Sequence, residues 1–305
     1  MPECDLTIAS LRAQSKGASK DGSMGMAEIG LLPLSGAIGA EVTGVDLGKT
    51  LDNAQWTAVH RAFLDHQVIF FRDQALTPDH LKAFGRRFGE LDIHPQYKPI
   101  DGHPEVLEFL KDVDATKNVG GIWHSDVTFY EQPALGSVLY ALEIPPFGGD
   151  TMFANQYLAY ESLSDGMKRV LNGLRAVHSD GFQSSPEAQA AYNEKSSTKL
   201  YNPTTEPTEN LHPVVRTHPE TGRKALYVNP VFTVRFEGMS AEESKPLLDY
   251  LCRHAVKPEF TCRFRWSERA VALWDNRCTQ HFAINDYNGY RRRMHRVTVR
   301  GERPV

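Results

Sequence analysis

The sequence predicts an α+β fold: a double-stranded β-helix, or jelly roll, whose antiparallel double sheet forms the core with helices packed outside. Three observations carry this. Short extended runs dominate the middle and end of the chain. Capped helical stripes are inserted among them. No internal repeat or long linker divides the chain, so residues 29–305 read as a single domain behind a leader at residues 1–28.

The leader begins "MPECDLTIASLRAQSKGASKDGSMGM". It is polar and lacks the apolar stretch of a secretory signal, so it reads as disordered, with Met24 or Met26 as alternative starts. Residues 35–47 alternate small, apolar and polar types and read as strand and turn. Residues 53–66 place Trp56, Val59 and Phe63 on one helical stripe, and "VIFFRD" (68–73) is a short buried strand. In 77–89, Thr77 is the N-cap, Pro78 takes the first helical position, and Leu81, Phe84 and Phe88 form the stripe. Residues 136–144 read as a strand ended by Pro145 and Pro146, and 163–174 as a helix. The polar stretch 181–213 reads as a structureless binding loop and candidate lid. Residues 224–236 are extended. In 240–255, Ser240 and Glu243 make a capping box, with Leu247, Leu248, Leu251 and Cys252 facing inward. "AVALWDNRCTQHF" and "RRRMHRVTVRG" close the chain as two strands joined by a polar turn.

Composition narrows the function classes. The chain has 305 residues, 41% hydrophobic and 24% charged, which is ordinary for a globular protein. A net charge of −4 argues against general nucleic-acid binding, which needs a basic surface. No apolar run approaches the ~20 residues that span a bilayer. Cys4, Cys252, Cys262 and Cys278 form no CxxC pair and read as reduced thiols, so a cytoplasmic location is expected.

"GGIWHSDVTF" (120–129) sets His124 and Asp126 two residues apart. In an extended chain both point to one face. An imidazole and a carboxylate side by side can bind a divalent metal, and "WDNRCTQHF" offers His281 as a third ligand, with Asn285 and Asp286 as alternatives nearby. Two histidines and one carboxylate on one face make the usual non-haem Fe(II) arrangement; zinc hydrolysis would use similar ligands. The bland alternative is a hydrogen-bonded sheet histidine. In "YRRRMHRVTVR", Arg292, Met294 and Arg296 share one strand face. Two inward arginines are costly unless each meets an anion. An oxygenase using 2-oxoglutarate needs one such cation for the far carboxylate, and the second implies an anionic substrate. The bland alternative is a solvated basic edge strand.

Together with "GGDTMFAN", "HPVVRTHPETGRKALYVNPVF" and "RRMHR", these motifs make the chain resemble the taurine dioxygenase (TauD/TfdA) family of Fe(II)- and 2-oxoglutarate-dependent dioxygenases, from about Ile29 to the C-terminus. The resemblance implies iron held by His124, Asp126 and His281, with 2-oxoglutarate and dioxygen as co-substrates. It implies that the far carboxylate of 2-oxoglutarate meets Arg292 and Thr151. It places the substrate anion against His94, Arg296 and the amide of Val127, with Tyr97 and Phe232 lining the pocket. It also implies a homo-oligomer, a dimer or tetramer.

One position departs from the family. Its taurine enzymes carry an asparagine four residues before the first iron histidine, where this chain has Gly120. The loss enlarges the pocket and weakens the case for taurine itself. The expected reaction is hydroxylation of the carbon beside an anionic group. With taurine or another alkylsulfonate, the product collapses to an aldehyde and sulfite. The alternatives are the same chemistry on a sulfate ester or a phenoxyalkanoate, or a non-catalytic 2-oxoglutarate-binding protein.

Overall fold

A computed structural model describes residues 29–204 and 206–305. The leader and Cys4 lie outside the described residues. Strands β1 (Gly30–Pro33) and β2 (Ala40–Thr43) lead into helix α1 (Asn53–His66), strand β3 (Val68–Phe71) and helix α2 (Pro78–Gly85). Strands β4 (Pro99–Ile100) and β5 (His103–Lys111) precede the segment that carries His124 and Asp126. Next come β6 (Gly136–Glu143), β7 (Thr151–Asn155), α3 (Gln156–Glu161), α4 (Asp165–Leu171) and β8 (Arg175–Ser179). They are followed by α5 (Gly181–Ser184), α6 (Pro186–Lys195), β9 (Glu209–Pro213), β10 (Val215–Thr217), β11 (Lys224–Leu226) and β12 (Thr233–Phe236). The chain closes with α7 (Ala241–Ala255), a 3-10 turn at Pro258–Phe260, β13 (Thr261–Phe264), β14 (Val271–Asp275), β15 (Thr279–Ala283) and β16 (Arg292–Val299).

The large sheet runs β1-β2-β3-β14-β6-β16-β5-β4, and a second sheet runs β13-β7-β15. Alternation along each strand assigns the large sheet's two faces. Ile69, Phe71, Val138, Val271 and Leu273 face α1 and α2, whose Val59, Phe63, Leu81 and Phe84 complete that core. Phe70, Phe109, Ala272, Trp274 and Met294 face the second sheet and pack on Phe153, Cys262 and Phe264. Phe70 stacks on Phe264 at 3.9 Å. A third cluster joins α3 and α7 to the sheet β12-β8-β9. The layers are therefore helices, large sheet and small sheet. Strand β3 is buried on both faces, which is why it reads as an unbroken apolar run.

Several expectations are corrected. The large sheet is mixed: β2 and β3 pair in parallel, because α1 provides the crossover. Helix α2 stops at Gly85, so Phe88 packs on Phe84 from beyond its end. Trp56 is only half-buried, edge-on to Phe88. On α7 the buried residues are Ser244, Leu248, Leu251, His254 and Ala255, while Leu247 and Cys252 sit at the margin. The stretch 181–213 is not structureless: it holds α5, α6 and β9. "AVALWDNRCTQHF" is two strands, β14 and β15, in different sheets. The thiols of Cys252, Cys262 and Cys278 are free. Among the described residues, no helix is long and apolar enough to cross a membrane.

Candidate active site

The site is built where β15 meets the segment before β6. His124 and His281 form an antiparallel bridge, His124 N donating to His281 O at 3.1 Å and His281 N to His124 O at 2.8 Å. The segment is one bridged residue followed by a turn at 126–129, not the expected strand. The three side chains still converge, with one ligand atom from each of His124, Asp126 and His281 lying within 4.8 Å of the others. Asp126 Oδ1 is 3.6 Å from His124 Nε2 and 3.7 Å from His281 Nε2. Ligand atoms ~2.1 Å from one ion at roughly 90–120° stand about 3.0–3.6 Å apart, so the spacing fits a shared cation. Asn285 and Asp286 are turned elsewhere: Asn285 donates to Thr116 O, and Asp286 accepts from Gly149 N.

The surroundings prepare each ligand. His124 Nδ1 lies 2.7 Å from the Ile122 carbonyl, which can only accept, so Nδ1 carries the proton and Nε2 is left for a metal. Asp126 Oδ2 accepts from Ser137 Oγ at 3.1 Å and Asn276 Nδ2 at 3.4 Å, while Oδ1 faces the imidazoles and also accepts from Arg296 Nη1. Burial pushes the Asp126 carboxyl upward, but Arg296, then His281 and His124, outweigh it and hold it well below the usual carboxylate range. Burial, with His124 next, pushes His281 down to about 3. The donor set is thus one carboxylate and neutral imidazole, the forms a divalent metal needs.

The same cavity is lined by Thr151, Arg292 and Arg296 with Trp274, Leu139 and Phe109. Trp266 Nε1 donates to Thr151 Oγ1 at 3.0 Å, which leaves the Thr151 hydroxyl proton for another acceptor. Arg292 Nε has no partner. Arg296 Nη1 is 3.2 Å from Asp126 Oδ1, and its guanidinium lies over Phe109 at 4.6 Å.

The residues expected at the substrate fall into two groups. The His94 and Tyr97 rings lie 4.8 Å apart, tilted by 51°, and Tyr97 meets Phe109 edge-on at 5.5 Å. Burial, then Arg296, pushes His94 down to about 3. Phe232 belongs to a separate apolar cluster with Val127 and Phe129. Val127 has φ of 46°, the left-handed region that β-branched residues avoid. The flanking residues hold it there: Ser125 Oγ donates to Thr279 O at 2.6 Å, and Thr128 Oγ1 bonds His178 Nδ1 at 2.8 Å.

Several site residues were missed in the sequence. Ser137 and Asn276 orient Asp126, and Lys111, Asn118 and Tyr287 line the cavity. Asn276 stands inside the quoted "WDNR", but nothing there points it at Asp126. A second His/Asp/Cys cluster, His218, Asp275 and Cys278, is fully buried. Both Asp275 oxygens bond Arg277, at 2.8 and 2.7 Å, so this is a structural ion pair with no ligand to spare.

Comparison with known proteins agrees with this geometry. The sequence pattern of the taurine catabolism dioxygenase TauD, TfdA family matches residues 31–298. An alkylsulfatase of Acinetobacter baylyi is 38% identical over 90% of this chain and 86% of that protein. An alpha-ketoglutarate-dependent sulfate ester dioxygenase of Pseudomonas putida is 38% identical over 91% of each. The crystal structure of a taurine dioxygenase from Burkholderia xenovorans superposes with a TM-score of 0.77 at 38% identity, covering 91% of each chain.

Proposed function

The chain belongs to the TauD, TfdA family of 2-oxoglutarate-dependent dioxygenases, and from that premise we propose its substrate class and a role for each side chain of the site. The substrate is a sulfate ester or alkylsulfonate without an amine, oxidised at the carbon that bears the sulfur group. His124, Asp126 and His281 hold Fe(II). Arg292 and Thr151 take the far carboxylate of 2-oxoglutarate. Arg296, His94 and the Val127 amide take the sulfur oxyanion, and Tyr97 and Phe232 flank the organic part. The double-sheet core is a jelly roll within one domain, residues 29–305.

When bound, iron and 2-oxoglutarate supply oxidation of a C–H bond by dioxygen, with succinate and carbon dioxide released. The chain supplies position and dryness. Asp126 offers one oxygen because Ser137 and Asn276 occupy the other. His281 stays neutral. Arg296, four residues beyond Arg292 on one strand face, holds the substrate anion apart from the 2-oxoglutarate carboxylate. Phe109, Leu139 and Trp274 keep water from the reacting carbon. Hydroxylation there gives a hemiacetal-like product that breaks to an aldehyde and sulfate or sulfite.

The observation that carries this reading is a His/Asp/His cluster opening on the same cavity as two inward arginines four residues apart. Two further points favour an amine-free substrate. Gly120 offers no polar side chain, and the two 38%-identical relatives are named for alkyl sulfate and sulfate ester chemistry. Fe(II)-loaded protein, given alkyl sulfates, alkylsulfonates, taurine and phenoxyalkanoates, should release sulfate or sulfite in step with succinate. Succinate coupled only to a phenoxyalkanoate would overturn the substrate class. Arg296→Ala should raise KM for the sulfur substrate about 10- to 100-fold, the scale of a hydrogen bond to a charged group. It should leave 2-oxoglutarate binding nearly intact at equal metal content; equal loss of both would refute the division between the arginines.

A further inference from the structure

We propose that Lys111 is a second cation on the far carboxylate of 2-oxoglutarate, so that a Lys111–Arg292 pair selects a dicarboxylate; this rests on the reading of Arg292 above.

Lys111 ends β5 and Arg292 begins β16, and the two are direct partners in the ladder. Directly opposed residues share a face, and like charges there repel. Both side chains line the metal-site cavity, beside Thr151 and Tyr287. Lys111 is 3% exposed, and its Nζ has no hydrogen-bond partner; neither does Arg292 Nε. The neighbouring acids are committed elsewhere. Asp112 and Glu143 pair with Arg291, Glu108 with Arg293, and Asp150 with Arg263. Lys111 Nζ sits 4.4 Å over the Tyr287 ring, and the Arg292 guanidinium lies 5.7 Å from Trp266. Aromatic faces attract these cations but do not neutralise them.

Nor does Lys111 escape to solvent. Thr198 Oγ1 bonds both Leu110 N, at 2.8 Å, and Leu110 O, at 2.9 Å, while Asp112 N donates to Ser197 Oγ at 2.9 Å. This segment covers the edge of β5 where Lys111 stands. A buried lysine and a half-buried arginine whose Nε is enclosed face one cavity and lack a compensating anion of their own. A carboxylate has two oxygens and about four acceptor sites, enough for Arg292, Thr151 and Lys111 together. The ordinary alternative is that Lys111 is packing for Tyr287, which Lys111→Met would preserve.

The test uses Mn(II)-loaded full-length protein and equilibrium binding of two acids. 2-Oxoglutarate has the far carboxylate; 2-oxobutanoate has the same chelating end without it. Lys111→Met should bind 2-oxoglutarate at least about tenfold more weakly, the scale of one hydrogen bond to a charged group. Its affinity for 2-oxobutanoate should not change, and Lys111→Arg should recover most of the loss. Without acid present, Lys111→Met should melt no lower than wild type, because it removes one member of a like-charge pair. Unchanged affinity for 2-oxoglutarate would overturn the proposal. So would an equal loss for both acids with a lowered Tm, which would make Lys111 structural. Wild type that binds neither acid would instead overturn the family-based reading of the cavity.

Discussion

Gly120 shows how one residue constrains both metal and substrate. Its φ is +79°, and a Cβ built there would stand 3.2 Å from His124 Cε1. The backbone thus excludes most side chains, and the nearest atom belongs to a metal-ligand candidate. Asparagine tolerates the left-handed region better than most residues, so what opposes a side chain at this position is chiefly the contact with His124. Gly120→Ala should cost about 1–2 kcal/mol from the left-handed conformation alone. It should also weaken Mn(II) affinity several-fold, because the imbalance falls on His124. Equilibrium metal titration and urea unfolding of the same variant separate the two effects. Metal affinity equal to wild type would show that His124 yields freely, and the enlarged-pocket argument would lose its steric basis.

At the scale of elements, the turn between β14 and β15 carries the chain from the large sheet to the small one and delivers His281. Asp275 fixes that turn. Its carboxylate bonds Arg277 twice and His218 Nε2 at 2.9 Å, and its carbonyl accepts from Thr279 Oγ1 at 2.7 Å. Arg277 also reaches Glu220 at 2.8 Å. Asp275→Asn should cost about 3 kcal/mol, because it removes the buried one of Arg277's two charge partners and leaves only the half-exposed Glu220. Urea unfolding measures this, and a loss below about 1 kcal/mol would mean that the turn is held by backbone bonds alone. Much of this level was legible in the sequence. The caps of α2 and α7 come from local chemistry, so Thr77 and the Ser240–Glu243 box mark their helices correctly. The inward face of Arg292, Met294 and Arg296 follows from strand alternation. The break between β14 and β15 was not legible, because no Gly or Pro marks it and the crossing is set by a buried ion pair. Lys111 escaped notice for a similar reason: a lysine ending a strand reads as solvated until the ladder sets it opposite Arg292. The left-handed backbone of Val127 gave no signal, since a β-branched residue is the last expected there.

Over the whole molecule, buried imidazoles link stability to pH. Burial pushes His178 down to about 3, and burial with Arg216 brings His212 to about 4. Their rings meet edge to face at 5.3 Å, beside Tyr227. His178 Nε2 and His212 Nδ1 have no partner, and the Tyr130 carbonyl at 2.9 Å from His212 Nε2 offsets only part of the effect of burial. Between pH 6.5 and about 4 the unfolded chain takes up protons that the folded chain refuses. Stability therefore falls as pH is lowered through this window. Each ring contributes up to about 2 kcal/mol of loss at pH 5. His281 and His295 are also depressed and act in the same direction. The paired carboxylates Asp126 and Asp275 lie below the window, because their depressed values make their contribution vanish only at lower pH. Asp180, raised by burial, acts with the opposite sign at the window's lower edge. Urea midpoints at pH 7.5 and 5.0 should thus differ clearly for wild type and less for His178→Asn, which keeps a hydrogen-bonding group near Thr128 but cannot titrate. Equal midpoints at the two pH values would mean that these rings accept protons inside the fold, through water or a shift of Tyr227 and Arg216 that gives them a partner.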